Sequence, residues 1–308
     1  FLNEYVMFQS KEEISFINKL EEKISGDKDF NELEVSVLAC YVPLSKNKKI
    51  SDKLIKYKSK NKLFNDLIKM QIEEPLIEEN FKNSIKSLEN ISDQVSRKVK
   101  DQYEVNPYPR WRYGTKNIIS NFVSTIKNDI KPNRVDLKNM FLSPYILVAG
   151  CGTGAQLQSI SYRENAKILA FDLSFSSLAY AKRKMEENGF NNIEFLQGDI
   201  LNLNKLNRKF DIIECVGVLH HMKKPLDGLT TLLNLMRPNG VLKLGLYSEI
   251  AREQIIKARQ FIEKNKFGSN IQDIRKCREM IKNHDDEVIQ KIVKRYDFYS
   301  TSNTRDLI

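Results

Sequence analysis

Long apolar runs are missing from this chain of 308 residues. Nothing in it approaches the roughly 18 consecutive apolar residues that a membrane-crossing helix needs, so an integral helical membrane protein is excluded. The opening Phe1-Leu2-Asn3-Glu4 lacks the basic-then-apolar pattern of an export signal. It also lacks a methionine, which predicts further residues upstream. Cysteine is scarce: Cys40, Cys151, Cys215 and Cys277 stand far apart with no paired spacing. That argues against a zinc site or a disulfide framework, predicts no metal, and fits a reducing, cytoplasmic setting.

In bulk, the residues that are present are ordinary. A share of 41% hydrophobic and 29% charged residues is that of a soluble globular chain. The length predicts about two domains at roughly 150 residues each. The net charge of +10 is unevenly spread. Between Pro43 and Met70 stand Lys46, Lys48, Lys49, Lys53, Lys56, Lys58, Lys60, Lys62 and Lys69, opposed only by Asp52 and Asp66. Clustered lysine is what a phosphate-binding face for RNA uses, and equally what a solvated helix surface shows. Only Tyr57 and Phe64 interleave as aromatics for base contact.

Four regions follow from the patterning. Residues 1–100 read as helical and are a candidate surface for a protein partner. Leu63, Phe64, Leu67, Ile68 and Ile72 recur at helical spacing, while Gly26 and Pro43 punctuate separate helices. Residues 101–143 form a connector around Tyr103-Glu104-Val105-Asn106-Pro107-Tyr108-Pro109-Arg110-Trp111. Two prolines in three residues predict an extended or turned chain there, because proline lacks the amide hydrogen and restricts its predecessor. Residues 144–248 alternate strands and helices. Apolar runs over 145–149, 167–172, 193–196, 210–215 and 240–247 predict five strands. Between them lie a helix from Ser176 to Asn188, stopped by Gly189, and one opened by Pro225. The latter is expected to carry Leu226, Leu229, Leu232, Leu233 and Met236 inward and to end at Pro238-Asn239-Gly240. Repeated strand–helix–strand units predict an α/β fold with a doubly wound, mostly parallel sheet. Residues 249–308 return to charged helix and close on a polar, non-periodic tail.

The sharpest signal is Val148-Ala149-Gly150-Cys151-Gly152-Thr153-Gly154, directly after the first of these strands. Glycines let the backbone turn tightly and approach a ligand, and the following helix start favours an anionic group. Asp172 closes the next strand, where a carboxylate can accept hydrogen bonds from both hydroxyls of a ribose. Together these predict a nucleoside-containing cofactor at the carboxyl ends of the strands. The run Gly150 to Ala155 also satisfies the relaxed dinucleotide fingerprint of a NAD-dependent oxidoreductase. Two features favour S-adenosylmethionine instead. The glycines run G-x-G-x-G, suited to a short amino-acid tail. A second acid, Asp199, follows the third strand with Ile200 beside it, placed to take the adenine amino group and ring. The plainer role for Asp199 is a turn residue after glycine.

Over residues 144–248 the chain resembles the class I S-adenosylmethionine-dependent methyltransferases. The resemblance rests on Gly150 to Gly154, Asp172, Asp199-Ile200, and Glu214-Cys215-Val216-Gly217-Val218-Leu219-His220-His221. It implies a Rossmann-like fold, with Gly150, Cys151, Gly152 and Gly154 around the methionine part. Asp172 and Leu173 would lie at the ribose, Asp199 and Ile200 at the adenine, and Cys215, Val216 and His220 beside the sulfonium. S-adenosylhomocysteine would be the product. The stretch Val216 to Asp227 looks like the branch of quinone-biosynthesis and wobble-uridine tRNA transferases. The Tyr-Glu-x-Asn-Pro-Tyr-Pro-Arg-Trp segment resembles one that precedes this domain in bacterial proteins with a helical-repeat N-terminal part. The family's sheet ends in an antiparallel pair after the fifth strand, which is not evident here. The fourth strand lacks the pattern that clamps an exocyclic base amine.

The implied reaction is an in-line displacement at the methyl carbon, in which the protein mainly aligns the partners. A base is needed only if the acceptor must lose a proton first. Candidates are His220, His221 and Tyr247, with Glu249 nearby; His220 reads equally as a packing or cofactor-contact residue. Tyr103, Tyr108, Arg110, Trp111 and Arg112 are the expected lid, with aromatic faces for a sulfonium and arginines for a carboxylate. The same aromatics would serve to staple the helical part to the sheet. The acceptor class read from this is a small molecule or other polar group. RNA, an oxidoreductase substrate, or cofactor binding without turnover remain the alternatives.

Overall fold

The structure is a computed structural model, described for residues 5–26, 29–114, 122–132, 143–161, 165–301 and 304–305. The opening Phe1 to Glu4, parts of the connector, and Asp306 onward lie outside the described residues. The chain divides into two compact units: Phe1–Ile77 with Ser248–Ile308, and Glu78–Tyr247. The sequence pattern suggested boundaries near 100, 143 and 248. Pairing partners distant in sequence, described below, account for the difference.

In the first unit, α1 (Lys11–Ser25) and α2 (Glu32–Tyr41) each open on a capping box, Ser10 with Glu13 and Asn31 with Glu34. Helix α3 (Lys48–Lys56) and α4 (Lys62–Ile68) follow. Ile17, Leu20, Leu38, Leu54, Phe64, Leu67 and Ile72 form their shared core. Leu63, expected on that face, is 78% exposed. It stands in the first turn of α4, one position off the inward stripe set by Phe64, Leu67 and Ile68.

The second unit starts within α5 (Glu74–Ser84) and holds one sheet in the order β1-β4-β3-β2-β5-β6. The strands are β1 (Lys86–Ser87), β2 (Tyr145–Ala149), β3 (Lys167–Asp172), β4 (Ile193–Gln197), β5 (Phe210–Val216) and β6 (Met236–Gly245), and every described pairing is parallel. In β2, Ile146 and Val148 enter one core cluster and Leu147 and Ala149 the other. Burial on both faces is why this strand reads as an unbroken apolar run.

Three expectations need correction here. A sixth strand exists: β1 pairs Lys86 with Leu196 and Ser87 with Gln197, too short to leave a period. Tyr103, Glu104 and Val105 are helical, forming the last turn of α6 (Gln94–Val105), and the chain leaves the helix at Asn106, just before the first proline. Helix α7 (Phe122–Asp129) and α8 (Leu157–Ser161) precede α9 (Phe175–Glu187), which ends where Gly189 takes φ +80. The third correction concerns α10 (Pro225–Asn234), which leaves Leu226 73% and Leu233 50% exposed. Its inward stripe is Gly228, Leu229, Thr231 and Leu232. Met236 already belongs to β6, and Pro238-Asn239-Gly240 lies in an irregularity of that strand, between the pairs Phe210–Met236 and Ile212–Val241.

The first unit is completed by α11 (Glu253–Lys264), α12 (Ile271–Lys282) and α13 (Glu287–Gln290). The tail expected to be merely polar is packed. Phe298, Thr301 and Thr304 are buried, and the buried Arg278 donates to the Phe298 carbonyl. Arg275 donates to the Tyr5 carbonyl, which joins residues 270 apart in sequence.

Candidate active site

The site is built at the carboxyl ends of β2, β3, β4 and β5, where a doubly wound sheet places its ligands. The turn after β2 needs glycine for two distinct reasons. At Gly150, φ is +74 and a Cβ would collide with the Val218 side chain. At Gly152, φ is +53 and a Cβ would meet only the Tyr108 carbonyl, 3.0 Å away. The first glycine lets the β2 and β5 turns pack; the second leaves main chain bare beneath Tyr108.

Asp172 braces this turn. Its Oδ2 accepts the Gly152 N–H at 2.8 Å and its Oδ1 accepts the Ser174 N–H at 2.9 Å. Burial pushes its carboxyl up to about 6, with Glu104 adding to the rise against the backbone hydrogen bonds. Each oxygen keeps a second lone pair, so the carboxylate can still receive hydroxyl donors. Asp199 is buried and accepts the Leu201 N–H at 3.0 Å, capping the turn that Ile200 begins. The turn role and a ligand role are compatible, since among the described residues only its Oδ1 is used. Leu173 lies between the two Asp172 bonds, and its carbonyl accepts from Gln197.

The segment after α6 crosses over these turns. Glu104 accepts the N–H groups of Phe175 at 2.7 Å and Ser176 at 3.0 Å, and the Ser176 hydroxyl at 2.6 Å. It thereby seals the positive N-terminal end of α9. Thr153 donates its hydroxyl to the Pro109 carbonyl, and the Trp111 indole N–H donates to the Thr153 carbonyl at 3.0 Å. Tyr180 bonds the Trp111 main chain, and Lys184 reaches the Arg112 carbonyl at 2.9 Å. The Lys184 ammonium also stands 5.1 Å from the Trp111 ring centre. The Trp111 face expected for a sulfonium therefore meets a lysine, and its ring packs on the core. Arg112 lies 5.7 Å from the Tyr113 ring centre, and Arg110 is exposed.

At the other end of the site four rings run in series. Tyr103 meets His221 edge-on at 6.3 Å, His221 lies 4.2 Å from His220, and His220 lies 4.0 Å from Tyr247. The structure thus brings together all three candidate bases and one lid aromatic. It does not bring the Cys215 side chain to an open surface. Cys215 is fully buried among apolar side chains, and burial pushes its thiol up to about 12. The Cys151 thiol is likewise buried and raised well above its ordinary value. Glu104 and Thr153 stood in the sequence inside runs read for their neighbours, the Tyr-Glu-x-Asn-Pro-Tyr-Pro-Arg-Trp segment and the glycine turn, while Tyr180 and Lys184 left no signal there. Among the described residues no cluster of metal-ligating side chains occurs. No helix among them is long and apolar enough to cross a membrane.

Residues 145–296 match the family model of a methyltransferase domain. The fold, the glycine turn and this match define the class: the chain carries a class I S-adenosylmethionine-dependent methyltransferase domain. An uncharacterized protein of Synechococcus sp. is 37% identical over 121 residues, covering 39% of this chain and 29% of that protein. The mitochondrial ubiquinone biosynthesis O-methyltransferase of Schizosaccharomyces pombe is 32% identical over 113 residues, covering 36% of this chain and 40% of that one. The chain therefore spans less than half the length of these relatives. Among solved structures, PKMT2 from Rickettsia typhi aligns with a TM-score of 0.43 and 22% identity, over 57% of this chain and 36% of that one.

Proposed function

We propose that this chain transfers a methyl group from S-adenosylmethionine to a hydroxyl on a small polar acceptor. The observation that carries the reading is Asp172, a half-buried carboxylate tied to the bare turn at Gly152. The residues present fit the cofactor. Gly152 offers main chain that a Cβ would obstruct, Asp172 has lone pairs for the ribose hydroxyls, and Asp199 with Ile200 offers an acceptor and an apolar contact for the adenine. When bound, the group supplies an activated methyl on a positive sulfur.

The chain's own work is then to position and to take a proton. Tyr103, His221, His220 and Tyr247 form an aromatic wall against which a flat acceptor packs. His221 or His220 takes the acceptor's hydroxyl proton, a task suited to imidazole near neutral pH. The segment from Asn106 to Arg112 excludes water above the glycine turn. The Schizosaccharomyces pombe relative, named for O-methylation in ubiquinone biosynthesis, supports an oxygen acceptor.

The test is a panel of phenols and other hydroxyl compounds with methyl-labelled cofactor. Transfer to one of them, abolished in Asp172→Ala and slowed in His220→Ala or His221→Ala, is the expected result. Thermal shift by S-adenosylhomocysteine but not NADH separates this from a dehydrogenase, since a ligand that binds only the folded state raises its melting temperature. A second reading, an RNA acceptor, is supported by the lysines at 46, 48, 49, 56, 58, 60, 62 and 69, all exposed. It requires RNA affinity that falls steeply with salt.

A further inference from the structure

Gln156 stands two residues beyond Gly154, where the glycine turn runs into α8. Its Nε2 donates to the carbonyl of Val216, the last residue of β5, at 3.3 Å. The side-chain amide therefore bridges the turn after β2 and the exit of β5. That bond fixes which way the amide faces, because a flip would set oxygen against oxygen. The remaining atom, Gln156 Oε1, is buried and has no hydrogen-bond partner among the described residues. A buried carbonyl oxygen without a donor has given up its hydration with nothing in return, and a native chain that keeps one calls for an explanation.

The sheet order supplies it. Asp199 follows β4, Asp172 closes β3, the glycine turn follows β2, and Val216 ends β5, in the spatial order β4-β3-β2-β5. A ligand held by its nucleoside at the two carboxylates and laid across the glycine turn brings its far end to β5. For S-adenosylmethionine that far end carries an ammonium and a carboxylate. Only the ammonium donates hydrogen bonds, and Oε1 only accepts them.

We propose that Gln156 binds the α-ammonium group of the cofactor's methionyl tail through Oε1. The assignment rests on the cofactor reading above and adds a residue that reads the amino-acid end. Gln156 discriminates the intact tail from adenosyl compounds that lack it.

The test is titration calorimetry with two ligands, S-adenosylhomocysteine and 5′-methylthioadenosine, which keeps the nucleoside and thioether but has no amino-acid tail. Gln156→Met keeps the side chain's length without its acceptor. It should weaken S-adenosylhomocysteine about tenfold or more, the worth of a hydrogen bond to a charged group, and leave methylthioadenosine within about twofold. Equal losses for both ligands, or an unchanged affinity for S-adenosylhomocysteine, overturn the assignment while leaving the cofactor reading intact. Wild-type protein that binds neither ligand overturns the cofactor reading and this assignment with it. Should circular dichroism show Gln156→Met unfolded, Gln156→Leu carries the test. It too removes the acceptor, so a loss of about tenfold confined to S-adenosylhomocysteine is expected, and equal losses for both ligands or no loss overturn the proposal.

Discussion

Removing the Glu104 carboxylate should destabilise the second unit by about 2–3 kcal/mol. The figure comes from its three donors. Glu104→Ala strips the Phe175 and Ser176 N–H groups, the first donors of α9, of a charged acceptor. The Ser176 hydroxyl keeps its other acceptor, the Glu104 main-chain carbonyl at 2.8 Å, so its loss counts little. These bonds are part-buried, so each is worth nearer about 1 kcal/mol than the larger value for an enclosed charged bond. Loss of an anion from a helix N-terminus adds about 0.5 kcal/mol. For a unit of this size, 2–3 kcal/mol corresponds to a melting shift of roughly 5–10 °C. Urea unfolding followed by circular dichroism measures it. Glu104→Gln keeps one acceptor oxygen and should lose about half as much. Ser174→Ala removes a different cap, the acceptor of the Ser177 N–H, and because both side chains serve one helix end its effect should couple with that of Glu104→Ala rather than add. A loss under about 0.5 kcal/mol for Glu104→Ala, or a Gln variant as damaged as the Ala variant, would refute the seal on α9.

Other consequences can be measured independently. Gly154→Ala places a Cβ at φ +81 and 2.9 Å from the Ala181 Cβ; it should cost about 2 kcal/mol or more, and a variant as stable as wild type in the same urea assay would contradict the close packing of the turn on α9. Asp172 titrates near 6, above its ordinary value, so S-adenosylhomocysteine affinity should hold at pH 7–8 and weaken as pH falls through about 6, when the carboxylate takes a proton. The sign for folding is opposite: between the unfolded and folded values the native state holds the extra proton, so this group's contribution to stability rises as pH falls through that window. An affinity flat from pH 8 to 5 would remove Asp172 as the ionised ribose acceptor. Finally, iodoacetamide at pH 8 should modify the exposed Cys40 and spare Cys215 in folded protein; mass spectrometry showing equal labelling would mean that β5 is not packed as described.

How far the site was legible in the sequence follows from the range of the forces involved. Strands β2 and β3 could be read because a strand buried on both faces is an apolar run, and β4 and β5 because apolar residues still dominate them; each stops at a glycine or an aspartate that the backbone turn requires. The glycine turn and Asp172 were legible for the same reason, since both lie within a few residues of a strand end. The start of α10 was legible at Pro225, but its inward face was not, because Leu226 and Leu233 are as apolar as Leu232 and only the position of the sheet selects among them. Glu104 appeared as one letter of a proline-rich run. That its carboxylate caps a helix beginning 71 residues later depends on where α6 and α9 come to lie.

The amino-acid order alone determined the parallel sheet, the turn of bare main chain and the two carboxylates beyond it, because periodicity, glycine's conformational range and the end of an apolar run are local properties. Tertiary structure alone decided that Trp111 serves the packing of α9, that Gln156 faces β5, and that the tail around Phe298 is buried beside Arg278. Those outcomes are pairings between side chains and carbonyls far apart along the chain. No local preference encodes the partner; the fold supplies it by bringing the two groups within hydrogen-bond reach.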